Sequence, residues 1–135
     1  LNYTYQDARD ESGIPSRDGN QLPGRPRHEL YHRTEYRRDE GRLFYELSYL
    51  ADNFLDQANF LLVKSRAIHT VGIEADLAAL GRAFRREALA RVPLVATFEV
   101  RNFTDNQVED VAGYPLPGRA YFGTVRWSWE GKGAS

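Results

Sequence analysis

Apolar and polar residues alternate in successive runs along this chain, and the pattern is clearest in its last third. Apolar side chains occupy alternate positions in residues 94–101 and again in residues 120–129. A period of two is typical of β-strands, because successive side chains of a strand point to opposite faces of the sheet. Each run therefore predicts a strand with one apolar face and one mixed face that carries charges.

The same alternation predicts four more strands upstream, separated by connections of unequal length. The predicted upstream strands are residues 1–7, 27–37, 42–52 and 67–77. The alternation lapses in three long connections (8–25, 53–65 and 102–119) and in a short turn at 38–41. The sequence therefore predicts an all-β fold of about six antiparallel strands, with long connections at one end and short ones at the other.

A helical period replaces the alternation over residues 78–92. Leu80 and Phe84 are four positions apart, as on one face of a helix. Pro93 would end such a helix. A short helix near residues 79–90 and a longer β-hairpin are both compatible with this segment.

Composition excludes several classes of protein. The chain has 135 residues, a net charge of -1 and 27% charged residues, so no basic surface argues for nucleic-acid binding. The absence of cysteine excludes a disulfide framework, cysteine metal clusters and thiol catalysis. Methionine is also absent and no signal peptide is visible, so we expect a piece of a longer chain or a processed one.

Hydropathy argues against a membrane-spanning helix but not against membrane-spanning strands. The longest apolar run, residues 60–63, is far shorter than the roughly 20 residues that such a helix needs. The mean hydropathy of -0.60 does not exclude a transmembrane barrel, because only alternate residues of its strands face lipid.

Residues 28–32, His-Glu-Leu-Tyr-His, match the H-E-x-x-H signature of zinc proteases. That chemistry needs a helix, on which two histidines four positions apart can bind one zinc ion. On a strand the two would lie about 13 Å apart, at roughly 3.3 Å per residue. Because the flanking rhythm is that of a strand, we predict that His28 and His32 bind no metal. A zinc hydrolase is the alternative, and the G-x-S-x-G motif of serine hydrolases is absent.

Two motifs in the last third resemble a known family. Residues 100–106 read Val-Arg-Asn-Phe-Thr-Asp-Asn, residues 113–119 read Gly-Tyr-Pro-Leu-Pro-Gly-Arg, and a strand rich in aromatic residues follows. This succession resembles the C-terminus of TonB-dependent outer-membrane receptors. The chain departs from the family pattern at Phe103, where leucine is usual, and by continuing past Trp129 through residues 130–135.

The resemblance implies that residues 1–135 are the C-terminal segment of a receptor barrel. Six strands are too few for a closed membrane barrel, for which about eight is the smallest number, whereas the family's barrels have about 22 strands around a plug domain. The expected fold is therefore about the last six strands of an antiparallel, up-and-down transmembrane β-barrel.

The resemblance also implies a function in transport. Such receptors take up a scarce nutrient of the ferric siderophore, haem or cobalamin class across the bacterial outer membrane. The implied partners are outer-membrane lipid, a small nutrient ligand such as a metal chelate, and TonB acting through a plug domain that is not in this chain. No catalytic activity and no cofactor are expected.

Within the expected barrel, the period of two assigns one face of the strands to lipid and the other to the lumen. The residues of the last strand that we expect to face lipid are Tyr121, Val125, Trp127 and Trp129, and those expected to face the lumen are Thr124, Arg126 and Ser128. Trp is favoured at a membrane interface, which the end of this strand should reach. The charged residues expected on inward faces are Arg27, Glu29, Arg33, Glu35, Glu46, Glu74, Asp76, Glu99, Arg101 and Arg126.

Ligand contacts from this segment are expected in the long connections, because binding residues concentrate in loops. The candidate ligand-binding residues are Asp56, Asn59 and Tyr114. Two other functions are compatible with the sequence. One is a passive, porin-type outer-membrane barrel, and the other is a soluble β-sandwich binding module in which the aromatic residues would form a core.

Overall fold

A computed structural model describes residues 1–111 and 113–128 of the chain. The predicted outward position of Trp129 and the stretch 130–135 lie outside the described residues. In chain order the strands are β1 (Asn2–Tyr5), β2 (His28–Arg38), β3 (Gly41–Ala51), β4 (Asn53–Phe54), β5 (Leu62–Val63), β6 (Arg66–Asp76), β7 (Leu94–Arg101), β8 (Glu109–Val111), β9 (Tyr114–Pro115) and β10 (Ala120–Trp127). The helices are α1 (Leu77–Ala83) and α2 (Glu87–Ala90).

Six strands form one sheet in the order β1-β2-β3-β6-β7-β10, and every neighbouring pair is antiparallel. Each strand therefore pairs with the next long strand of the chain, which is an up-and-down connectivity. The prediction of an antiparallel, all-β fold is confirmed. The described part of the sheet is open, with β1 and β10 at its edges and no closed barrel.

The strand bounds lie close to those that the alternation predicts. The predicted strand 94–101 coincides with β7, and the predictions for β2, β3 and β6 each differ by one residue at either end. The largest differences are at the two edges. The first strand spans only Asn2–Tyr5, and the described part of the last strand ends at Trp127.

The register places all charged strand residues but one on the same face of the sheet, which we call the charged face. For example, Arg33 is opposite Glu46, and Arg42 is opposite Glu74. The charged residues of this face are Glu29, Arg33, Glu35, Arg37, Arg42, Glu46, Arg66, Glu74, Asp76, Glu99, Arg101 and Arg126.

The opposite face, which we call the apolar face, carries a single charged residue among the described strands. That residue is Arg38, at the end of β2 beside the short turn. The large apolar and aromatic residues of this face are Tyr3, Tyr5, Leu30, Tyr36, Leu43, Tyr45, Leu47, Tyr49, Val71, Ile73, Leu94, Phe98, Val100, Tyr121, Val125 and Trp127.

Residues 77–90 contain the two helices α1 and α2, which resolves the choice between a helix and a hairpin. The Asp76 carboxylate caps α1 by accepting a hydrogen bond from Ala79 N at 2.9 Å. The helical segment is divided at Arg85, whose φ of 55° lies in the left-handed region. The result is two short helices in place of one, and they meet at Gly81, where a Cβ would lie 2.1 Å from Ala90 N.

Two of the predicted long connections contain short hairpins that the sequence does not predict. Strands β4 and β5 pair within residues 53–65, and β8 and β9 pair within residues 102–119. Both hairpins lie at the end of the sheet that carries the long connections.

Few side chains of the described chain are buried. The buried apolar residues are Phe44, Ala51, Ala79 and Val108, and no described side chain is fully buried. A soluble domain of about this length buries roughly two-thirds of the surface of its unfolded chain, usually by packing a second layer on its sheet. In the described residues no such layer covers the apolar face, where Phe98, Val125 and Trp127 are all exposed.

Candidate functional site

Three long connections meet at one end of the sheet: loop A (residues 6–27), loop B (52–65) and loop C (102–119). Loop A joins loop B through backbone and side-chain hydrogen bonds, and loop C approaches loop B from the other side. The loop cluster therefore combines segments that are far apart in sequence, as a ligand site on a strand scaffold requires.

Asn59 fastens loop B to loop A. Its Oδ1 accepts a hydrogen bond from Gln21 N at 2.7 Å, and its Nδ2 donates to Gln21 O at 2.8 Å. The buried Gln21 side chain then donates to Asp52 O and Arg25 O, each at 2.6 Å. Asn59 also has a left-handed backbone, with φ of 56°, which Asn tolerates better than most residues. In this structure the polar atoms of this predicted ligand residue hold two loops together.

Asp56 organises the turn of loop B. Its carboxylate accepts hydrogen bonds from Leu61 N at 2.7 Å and from Phe60 N at 3.2 Å. The bond from Leu61 N is the main reason that the pKa of Asp56 is lowered, because a backbone donor favours the ionised form. The turn presents Phe60 to solvent with 86% of its surface exposed. Asp56 thus positions an apolar residue at the tip of loop B.

Loops B and C enclose a groove of about 360 Å³ between them. Val108, which is buried, forms part of its floor. The lining residues are Leu55, Leu61, Leu62, Val63, Lys64, Gln107, Val108 and Glu109. The groove combines an apolar surface with one cation and one carboxylate, which suits a small amphipathic molecule. The sequence does not predict this groove, although the apolar run at residues 60–63 supplies three of its lining residues.

Tyr114 lies in β9, beyond this groove. Its side chain is 73% exposed, and it is not among the residues that line the groove. The structure therefore brings Asp56 and Asn59 together in loop B but places Tyr114 separately in loop C. The assignment of ligand contacts to these three residues stays a prediction.

Loop C is held by the residues of the two motifs that carry the family resemblance. Asn102 is buried, and its Oδ1 accepts a hydrogen bond from Asn106 N at 2.9 Å. Asp105 Oδ1 accepts from Arg119 N at 2.9 Å, which joins the first motif directly to the second. A Cβ on Gly118 would lie 2.8 Å from that same Asp105 oxygen. The two motifs are therefore parts of one folded loop.

The charged face is held together by a network of ion pairs. Glu35 contacts Arg33 at 3.1 Å, Arg37 at 2.6 Å and Arg42 at 3.2 Å. Arg42 also contacts Glu74 at 3.2 Å, and Arg33 pairs with Glu46. These contacts link β2, β3 and β6 across the sheet. The network satisfies most of its charges internally, so this face can border water without a further partner.

Phe44 lies at the centre of this network. Its ring lies beneath the guanidinium groups of Arg33 and Arg42, at 4.8 Å and 5.6 Å from the ring centroid. Gly72 makes room for the ring, because a Cβ there would lie 2.2 Å from Phe44 Cζ. Phe44 is consequently 6% exposed, the one large apolar side chain of the charged face that is buried in the described chain.

All three histidines of the chain lie on the apolar face, and each ring contacts a hydroxyl group. His28 Nδ1 is 2.8 Å from the Tyr3 hydroxyl, and His69 Nδ1 is 2.8 Å from the Tyr45 hydroxyl. His32 Nε2 is 2.7 Å from the hydroxyl of Thr34. These three rings lie in the half of the sheet nearest to loops A and B.

The H-E-x-x-H motif lies in β2, as its strand rhythm predicts. His28 and His32 are each engaged with a different neighbour, and they lie about 13 Å apart at the rise of a strand. Across residues 1–111 and 113–128, no group of three His, Cys, Asp or Glu could hold a metal ion. The prediction that this motif binds no metal stays a prediction for experiment.

The described helices are too short and too polar for any of them to cross a membrane.

Comparison with protein-family models, with curated proteins and with solved structures found no match for this chain.

Proposed function

We propose that this chain is a wall segment from the C-terminal part of a TonB-dependent outer-membrane receptor, which imports a scarce nutrient. The observation that carries the proposal is the contrast between the two faces of the sheet. The charged face is ion-paired, whereas the apolar face has one charged residue in the described strands and is largely exposed. Lipid on one side and a polar lumen on the other would satisfy both faces.

The open edges of the sheet support a larger barrel. β1 and β10 each have an unpaired side in the described structure, and exposed edges invite pairing with further strands. About eight strands is the minimum for closure in a membrane, and this sheet has six. Additional strands of the same protein, about 16 if the family's barrel size applies, would complete the wall.

The difference between the two ends of the sheet supports one orientation of this barrel segment in the membrane. Loops A, B and C lie at one end, and the two-residue turn between β2 and β3 lies at the other. Outer-membrane barrels have long extracellular loops and short periplasmic turns. We therefore place the loop cluster outside the cell, where a nutrient would first be bound, and the helical segment of residues 77–90 on the periplasmic side.

The groove between loops B and C is where we propose that this segment contacts the nutrient. Its apolar lining, together with Lys64 and Glu109, would accept a small molecule with both apolar and polar groups, such as an organic metal chelate. Energy for uptake would come from TonB through a plug domain outside this chain. The segment itself is proposed to carry out no chemical reaction.

The face assignment is tested by placing an arginine on either side of β10 in the complete protein. Val125 lies on the apolar face and Thr124 on the charged face, opposite Thr97. An arginine facing lipid costs about 2–4 kcal/mol at the midplane of the membrane and less near its surface. Val125→Arg should therefore impair assembly, measured by heat-modifiable electrophoretic migration, while Thr124→Arg should assemble like the parent protein.

Equal tolerance of the two arginines would contradict the face assignment. A complete protein that is monomeric and soluble without detergent would instead favour a soluble binding module. Uptake that continues after the proton gradient is dissipated would favour a passive, porin-type barrel.

A further inference from the structure

The helical segment between β6 and β7 has an exposed, positively charged surface that plays no part in the proposed transport. Residues 77–92 contain Arg82, Arg85, Arg86 and Arg91 against a single acid, Glu87. This is a formal excess of three positive charges in a chain whose net charge is -1. The positive charge is therefore concentrated at the end of the sheet opposite the loop cluster.

Most of this positive charge is not neutralised within the protein. Glu87 lies 3.8 Å from Arg91, and both side chains are almost fully exposed. In the described part of the chain, no acidic side chain pairs with Arg82, Arg85 or Arg86. Arginines elsewhere in the sheet, such as Arg33 and Arg42, are ion-paired. The three arginines are thus available to an external anion.

An exposed aromatic residue accompanies these cations. Phe84 is 71% exposed and lies between Arg82 and Arg85 in sequence. The turn that presents it is fixed by hydrogen bonds from Phe84 N to Leu80 O at 2.9 Å and from Arg86 N to Gly81 O at 2.7 Å. A fixed turn with an apolar tip and flanking arginines is typical of a surface that meets the boundary between lipid and water.

The segment also lies against the apolar face. Arg82 and Arg91 line a groove together with Trp127, which is 58% exposed at the end of β10. On the other side, Leu80 lines a shallow groove with Leu43 and Ile73 of the apolar face. Arg82 and Arg91 consequently border the same surface that, in the proposed function, contacts lipid, and Arg85 and Arg86 are exposed on the turn between them.

We propose that residues 82–91 bind the phosphate groups of anionic phospholipids in the membrane leaflet at this end of the sheet. This inference rests on the proposed function, because it requires the apolar face to lie in a membrane. Arginine is well suited to phosphate, which it can contact through two parallel N–H donors. The continuity of Arg82 and Arg91 with Trp127 favours lipid over an acidic protein partner, which would not need that neighbouring apolar surface.

The inference can be tested by lipid retention in the complete protein, folded in non-ionic detergent. The protein is equilibrated with equal amounts of phosphatidylglycerol and phosphatidylcholine of identical acyl chains, and retained lipids are counted by native mass spectrometry. The test variant is R82Q/R85Q/R86Q. The control variant, R9Q/R25Q/R119Q, removes three exposed positive charges from the loop cluster at the opposite end.

Each arginine near an anionic membrane surface contributes roughly fivefold to affinity at low salt. The parent protein and the control should therefore prefer phosphatidylglycerol by about tenfold or more, and the test variant should lose most of that preference. Equal retention of the two lipids by the parent, or an equal loss in test and control variants, would overturn the inference.

Heat-modifiable migration is recorded for every variant. A protein that never inserts into detergent or lipid overturns the proposed function and this inference together, whereas an inserted protein without the preference overturns this inference alone.

Discussion

The two faces of the sheet are built by the same strands but are satisfied in different ways. On the charged face the side chains satisfy one another, as Glu35 does by contacting three arginines. On the apolar face Ile73 and Phe98 lie opposite each other, yet each is 49% exposed. The charged face is satisfied within these six strands, whereas the apolar face lacks the apolar surroundings that its side chains require. We therefore expect the partner of this sheet to lie on its apolar side.

The largest effect that distinguishes the two faces is expected for the same substitution at two glycines. Gly72 lies beneath Phe44 on the charged face, whereas nothing lies within 4 Å of a Cβ built on Gly123 on the apolar face. Gly72→Val should lower the free energy of unfolding by about 1–3 kcal/mol, because the Phe44 ring must move. Gly123→Val should change it by less than about 0.5 kcal/mol. Urea titration of the complete protein in lipid vesicles measures both, and equal losses would show that the charged face is not packed as described.

A smaller loss of stability is expected from removing a charge of the ion-pair network on the charged face. Glu35 has three arginine partners, whereas Glu99 contacts only Arg101 among the described residues. Glu35→Gln should lower the urea midpoint more than Glu99→Gln does, since it removes three ion pairs and Glu99→Gln removes one. The difference should shrink in high salt, which screens exposed ion pairs. A larger loss for Glu99→Gln would mean that the network is not centred on Glu35.

The smallest effect is expected on the apolar face, from a single hydroxyl group. Tyr45→Phe removes the contact of the tyrosine hydroxyl with His69 Nδ1 and should cost about 0.5–1 kcal/mol, nearly independent of salt. The Tyr49 hydroxyl has no hydrogen bond in the described structure, so Tyr49→Phe is the matched control. A strong salt dependence for Tyr45→Phe would indicate that this hydroxyl contact lies in water.

The strands of this fold are largely predictable from the sequence, because the period of two is a local signal. The alternation in residues 94–101 identifies β7 without error, and the same rhythm identifies the H-E-x-x-H motif as part of a strand. Face and register follow from the alternation, since a shift of one residue would exchange the two faces completely. For this reason the sequence alone predicts that Thr124 and Val125 lie on opposite faces of the sheet, and the pairing with β7 agrees.

The features that the sequence does not predict depend on contacts between distant residues. The division of the helical segment at Arg85 has no glycine to signal it, although the residue is left-handed. The hairpin of loop B is fastened to loop A by Asn59 and Gln21, which are 38 residues apart. The groove between loops B and C likewise requires both loops to be in place. Hydrogen bonds between a side chain and a distant backbone leave little trace in the pattern of apolar residues.

The most direct test of the central claim is a cysteine scan of the last strand. Because residues 1–135 contain no cysteine, a single spin label can be attached at each position from Tyr121 to Arg126 in the complete protein, with any cysteine outside this segment replaced by serine. The labelled protein is folded in lipid vesicles. Collision with oxygen, which concentrates in lipid, is compared with collision with a water-soluble nickel complex. We predict that labels at positions 121, 123 and 125 favour oxygen and that labels at 122, 124 and 126 favour nickel. Nickel accessibility at every position, or an alternation of the opposite phase, would contradict the assignment of the apolar face to lipid.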